Sequence, residues 1–169
     1  MNEIIAKALA REGITAPEDL CFHKEVIEYL KSRDRFHNSM EIGYFHGRTS
    51  AIPLAFNPNK HFIIEQFWDV YNYGLKEDRE NPCVEVWADV AQKLPSTKVD
   101  QLLYSIDFML IDGEHTKGGL MSDLKLADKV LSRHGIIVVD DISLEFQALL
   151  KTLDEFCKEH EFCKIFHTD

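Results

Sequence analysis

Two acidic segments, Asp112-Gly-Glu-His115 and Asp140-Asp141, carry the side chains best suited to chemistry. Each follows an apolar run, so each stands where a strand gives way to a loop. Adjacent strands in a sheet are only about 5 Å apart, and carboxylates gathered at that distance repel one another. A divalent cation with oxygen preference, such as Mg²⁺, relieves that repulsion. His115 follows Asp112 by three residues and suits a general base near neutral pH. An acid that merely ends a strand is ordinary, but two such ends on consecutive strands are not.

A second set lies upstream. In Glu41-x-Gly43-x-x-x-Gly47 the glycines allow a sharp turn and a close approach of backbone to ligand. A plain strand-to-helix turn has the same appearance. Glu65 stands 18 residues after Gly47, at the end of another apolar run. A carboxylate there can accept both hydroxyls of a ribose. Phe67 and Trp68 follow and can shield an adenine or simply fill core.

Cys157, His160, Cys163 and His167 superficially resemble a string of zinc ligands. A helix followed by a strand spreads such residues apart, so zinc is not expected, and four scattered cysteines make no disulfide framework.

The elements that must position these residues alternate between short apolar runs and amphipathic stretches, the pattern of βα units and a parallel sheet. Residues 2–11 and 23–32 read as helices. Strands are predicted at Ser39–Gly43, His61–Glu65, Val84–Trp87, Ile106–Ile111, Gly135–Val139 and Phe162–Phe166. Leu120, Met121, Leu124, Ala127, Val130 and Leu131 mark a helix that Gly135 closes. A last helix carries Leu149, Leu150, Leu153, Phe156 and Cys157 on one side, with Ser143 as a candidate cap. The expectation is a Rossmann-like, doubly wound α/β domain over residues 36–169. Its mostly parallel sheet has about six strands and helices on both faces, and the helices of residues 1–35 pack on that core. Ligands of such sheets bind outside the carboxyl ends of the strands. Gly43, Glu65, Ala88-Asp89, Asp112 and Asp140-Asp141 occupy those ends.

Bulk properties narrow the partners. With 19 Lys+Arg against 29 Asp+Glu, the net charge of −10 disfavours nucleic acid and anionic membrane surfaces. No apolar run approaches the ~20 residues of a membrane span, and the charged N-terminus reads as a helix, not a signal peptide. A cytoplasmic protein acting on a small molecule is expected.

Three segments, MEIGYFHGRTS, VEVWADVAQKLP and IDFMLIDGEHTKGGLMSDLKLADKVLSRHGIIVVDDI, together resemble the class I S-adenosylmethionine (SAM) methyltransferases. Within that class they are most similar to the branch holding metal-dependent sugar O-methyltransferases and cephalosporin-hydroxylase-like proteins. The resemblance implies that Glu41, Gly43, Tyr44 and Gly47 belong to the SAM loop, that Glu65 holds the ribose, and that Asp89 meets the adenine amine. It implies Asp112, Asp140 and Asp141 as Mg²⁺ ligands, Asp112 also bordering the cofactor, and His115 as the base.

Departures from the family pattern are Ala88 where glycine is commoner, a short stretch between Gly47 and Glu65, and Pro53 where the first crossover helix should run. The family's seventh, antiparallel strand has no counterpart after Phe166, which suggests a homo-oligomer that pairs through the sheet edge. Two functions fit: a Mg²⁺-dependent O-methyltransferase for a sugar- or diol-like acceptor, and a methyltransferase-like domain serving assembly or regulation.

Overall fold

The computed structural model describes residues 3–11, 13, 15–67, 76–140, 147–160 and 162. Five apolar runs form strands: β1 (Asn38–Ile42), β2 (Lys60–Ile64), β3 (Val84–Trp87), β4 (Ile106–Ile111) and β5 (Leu131–Val139). They pair in parallel in the order β3-β2-β1-β4-β5. Every residue of β4 is buried, as a sheet covered on both faces requires. The chain changes winding direction between β1 and β4, and a crevice opens at such a switch point.

Side chains alternate across each strand, so β4 feeds two cores at once. Phe108 and Leu110 face α1 (Glu3–Leu9), α2 (Pro17–Ser32) and α3 (Ala51–Ala55), meeting Ile5, Leu20, Ile27 and Ile52. Met109 and Ile111 face the other layer. That layer is α5 (Ser96–Asp100), α6 (Lys117–Val130) and α7 (Gln147–Glu159), which supply Val99, Leu120, Leu124, Ala127 and Phe156. A 3₁₀ turn at Ala91–Lys93 also packs against α6, and a one-turn helix α4 (Lys76–Arg79) precedes β3.

Three expectations are corrected. Helix α2 begins at Pro17, not near residue 23: proline at the first helical positions with Glu18 and Asp19 in the first turn suits a helix start. Gly135 does not close α6. That helix ends at Val130 and runs directly into β5, which pairs Ile106 with Leu131 but Phe108 with Ile136. Gly135 lies inside this irregularity, where a Cβ would come within 2.8 Å of the Ile106 carbonyl oxygen. Pro53 does not prevent a helix either, because α3 has only five residues and Pro53 lies in its first turn. Of the sixth strand at Phe162–Phe166, only Phe162 is among the described residues, its ring 5.6 Å from Phe156. Trp68, Ser143, Cys163 and His167 lie outside them. His160 meets the Asp128 carboxylate at 3.0 Å and stacks on Phe156.

At the N-terminal rim, the Asp107 carboxylate accepts the backbone N–H groups of His37 (2.9 Å) and Asn38 (3.1 Å) and the Ser132 hydroxyl (2.8 Å). One buried side chain thereby ties β1, β4 and β5 at the end opposite the crevice.

Candidate active site

The parallel ladder runs one residue beyond the strands at their C-terminal rim. Glu65 N–H donates to the Trp87 carbonyl (3.2 Å), Gly43 to Ile64 (2.9 Å), Asp112 to Ile42 (2.8 Å) and Asp140 to Ile111 (2.9 Å). Four strand-end residues singled out by sequence therefore stand in one row across β2, β1, β4 and β5. Beside them opens a cleft of about 240 Å³ whose walls include Gly43, Phe45, Glu65, Asp89, Asp112 and Asp123.

Gly43 has φ +85°, and a Cβ there would sit 1.9 Å from the Asp112 carbonyl oxygen. Only glycine permits that approach of the β1 and β4 ends. Gly47 has φ +68° and lies over the ring of Tyr44, 2.4 Å from where its own Cβ would be. The Tyr44 side chain is buried beneath the turn, and its hydroxyl donates to Asp78 (2.6 Å). Arg11 completes this support. Its guanidinium donates to the Gly47 carbonyl (2.6 Å) and to both oxygens of Asp78 (2.8 and 3.0 Å). Burial works against the Arg11 charge, but the hydrogen bond and charge of Asp78, with Tyr44 and Glu77 adding, hold its pKa above the ordinary value. Arg48 in turn donates to the Arg11 carbonyl. The chain just after α1 is thus part of the turn's scaffold.

Glu65 borders the cleft and accepts N–H groups from Tyr44 (3.0 Å) and Phe67 (2.8 Å). Asp89 also borders it and accepts the Val90 N–H (2.8 Å). His115 Nε2 lies 3.5 Å from Asp112 Oδ1, with both side chains partly exposed. Glu41 faces away: it is buried against α3, accepting the hydroxyls of Thr49 and Ser50, with His61 at 3.6 Å. Asp141 lies outside the described residues, so the set Asp112, Asp140 and Asp141 is described only in part. Among the described residues no group of three or more His, Cys, Asp or Glu side chains gathers as a metal site.

Residues 40–142 match the family model described as a methyltransferase domain. The chain belongs to that family. No curated protein matches it by sequence. Among solved structures, this methyltransferase domain is similar to SAH-bound PaMTH1 of Podospora anserina (SAH, S-adenosylhomocysteine), with TM-score 0.64 and 14% identity over 94% of this chain and 79% of the other. It is similar to an O-methyltransferase of Bacillus cereus in complex with SAH, with TM-score 0.63 and 16% identity over 92% and 79%. It is also similar to the O-methyltransferase TomG of Streptomyces achromogenes in complex with SAM, with TM-score 0.59 and 18% identity over 92% and 78%. These likenesses establish the methyltransferase fold.

Sequence reasoning missed Arg11 and Asp78, which meet across 67 positions and leave no local signal. It also missed Asp123, whose signal was present. Asp123 interrupts the apolar stripe of α6 between Leu120 and Leu124, and a buried acid in such a stripe calls for a reason. Among the described residues no helix is long and apolar enough to cross a membrane.

Proposed function

We propose that this methyltransferase domain binds SAM in the cleft and transfers its methyl group to an oxygen of a small polar acceptor, sugar- or diol-like, with Mg²⁺ held by Asp112, Asp140 and Asp141. The observation that carries this reading is the row of strand ends Glu65, Gly43, Asp112 and Asp140. It supports the reading because Glu65, a turn open to close approach and two carboxylates lie along one rim.

Glu65 spends acceptor positions on three backbone N–H groups, those of Tyr44, Phe67 and, at 3.4 Å, Phe45, and a carboxylate has about four. The remaining position suits a ribose hydroxyl. Asp89 takes the adenine amine, and the acidic walls favour the positive sulfonium. SAM supplies an electrophilic methyl group on that sulfonium. His115 removes the acceptor's hydroxyl proton, and Asp112 beside it stabilises the imidazolium that results. With SAM bound, that methyl would pass to the acceptor oxygen as the sulfur–methyl bond breaks, leaving SAH. Asp112 and Asp140 lie on neighbouring strand ends, from which they would hold Mg²⁺, and the ion would supply polarisation and orientation of the acceptor oxygen.

Calorimetric titration of the chain with SAM and SAH, with and without Mg²⁺, tests the reading. One-to-one binding that weakens at least about tenfold in Glu65→Ala is the expected result. Absence of binding by either ligand under both conditions overturns it.

A further inference from the structure

Asp123 is only 6% exposed, yet it lines the cleft. It lies on the same α6 face as Gly119, one turn on, where the helix packs against the 3₁₀ turn. Its carboxylate presses on the backbone after β4: a Cβ on Gly113 would stand 3.0 Å from Asp123 Oδ2. Among the described residues neither a hydrogen bond nor a cation supports it, and the charge of Glu114, of its own sign, acts on it. Asp89, Gln92, Gly113, Glu114 and Gly119 complete this part of the cleft. Buried polar groups are almost always hydrogen-bonded, and one left without a partner is costly. A carboxyl that is buried, unpartnered and open to a ligand cleft is accounted for when the ligand supplies the missing bonds.

We propose that Asp123 reads the nucleobase of the bound cofactor, its carboxyl pairing with the exocyclic amine of adenine and the adjacent ring nitrogen. The inference rests on the SAM reading above and adds a second contact beside Asp89. A neutral carboxyl offers a donor and an acceptor side by side, and adenine offers the complementary pair along one edge. Burial, with the charge of Glu114 adding, pushes the Asp123 pKa up to about 7, so the proton this pairing needs is retained near neutrality. Asp89, Asp112 and Glu65 are the other acids that line this cleft.

Calorimetry with SAH, and with the SAH analogue that carries purine in place of adenine, tests this on the full chain. In Asp123→Leu, SAH affinity is expected to fall at least about tenfold. In Asp123→Asn, whose amide keeps a donor beside an acceptor, it should stay within about threefold. Wild type should prefer SAH over the amine-free analogue, and the preference should shrink in Asp123→Leu. Melting temperature separates this role from a structural one: removing an unpartnered buried carboxyl should leave stability equal or higher while binding falls. Undiminished SAH affinity in Asp123→Leu overturns the role of Asp123 alone. A wild-type chain that binds no SAH overturns the cofactor reading itself. Should Asp123→Leu not fold, Asp123→Ala takes its place, and failure of both to fold marks the carboxyl as structural and overturns the proposal.

Discussion

Arg11 grips Asp78 with two hydrogen bonds, 2.8 and 3.0 Å long, while the same guanidinium reaches the carbonyl of Gly47 at 2.6 Å. Their side chains are 8% and 3% exposed. Removing one member of a buried pair leaves the other uncompensated, at a cost of about 3–5 kcal/mol. Arg11→Met should therefore lower the urea unfolding free energy by that order. Asp78→Asn, which keeps a polar partner, should cost less. Both should weaken SAM binding through the turn that Gly47 ends, and calorimetry on the folded variants checks it.

Gly43→Ala sets a methyl group against the Asp112 carbonyl and forces an alanine to φ +85°. Backbone strain and overpacking together should cost about 2–4 kcal/mol. Because the displaced backbone is that of two strand ends, SAM binding should also fall well below that of wild type. Unchanged stability by urea denaturation would remove Gly43 as the point of contact between β1 and β4.

The Asp123 carboxyl titrates near 7 in the folded chain, against about 4 when unfolded. Between those values the folded state binds the extra proton, so stability falls as pH rises from about 4 to 7 and then levels off. The full shift corresponds to about 4 kcal/mol. Asp123→Asn abolishes this contribution. Melting curves of wild type and Asp123→Asn at several pH values should diverge, the variant becoming relatively more stable toward neutral pH. Parallel curves would show that the carboxyl is not buried as described.

For the metal, Asp140→Ala should weaken Mg²⁺ binding while leaving SAM affinity close to wild type, since Asp140 follows β5, three strands away from the β2 end at Glu65. Asp112→Ala should disturb both, because Asp112 also borders the cofactor cleft. Mg²⁺ titration of the two variants decides it: undiminished metal affinity in both would put the ion elsewhere.

The strand ends were legible because each closes a short, largely apolar run, and a parallel sheet carries all such ends to one rim. Glu65, Gly43, Asp112 and Asp140 came into a single row for that reason. Glu41 was read as part of the same loop, but it lies within β1 and shares the face of Ser39, so its side chain enters the polar contacts under α3. The early start of β5 was hidden because Ser132, Arg133 and His134 break the apolar pattern where the pairing is irregular. Arg11 and Asp78 belong to a tertiary relationship, and nothing in either neighbourhood announces the other.

Asp107 gives the sheet a fixed heel. With β1, β4 and β5 fastened there through His37, Asn38 and Ser132, separating the strands at that end means exposing a buried carboxylate that has lost three hydrogen bonds. Fanning the strands apart at the opposite rim disturbs none of those bonds. Adjustment to ligands of different bulk should accordingly resemble the opening of a hand hinged at the wrist, largest at Gly43 and Asp112 and vanishing toward Asp107.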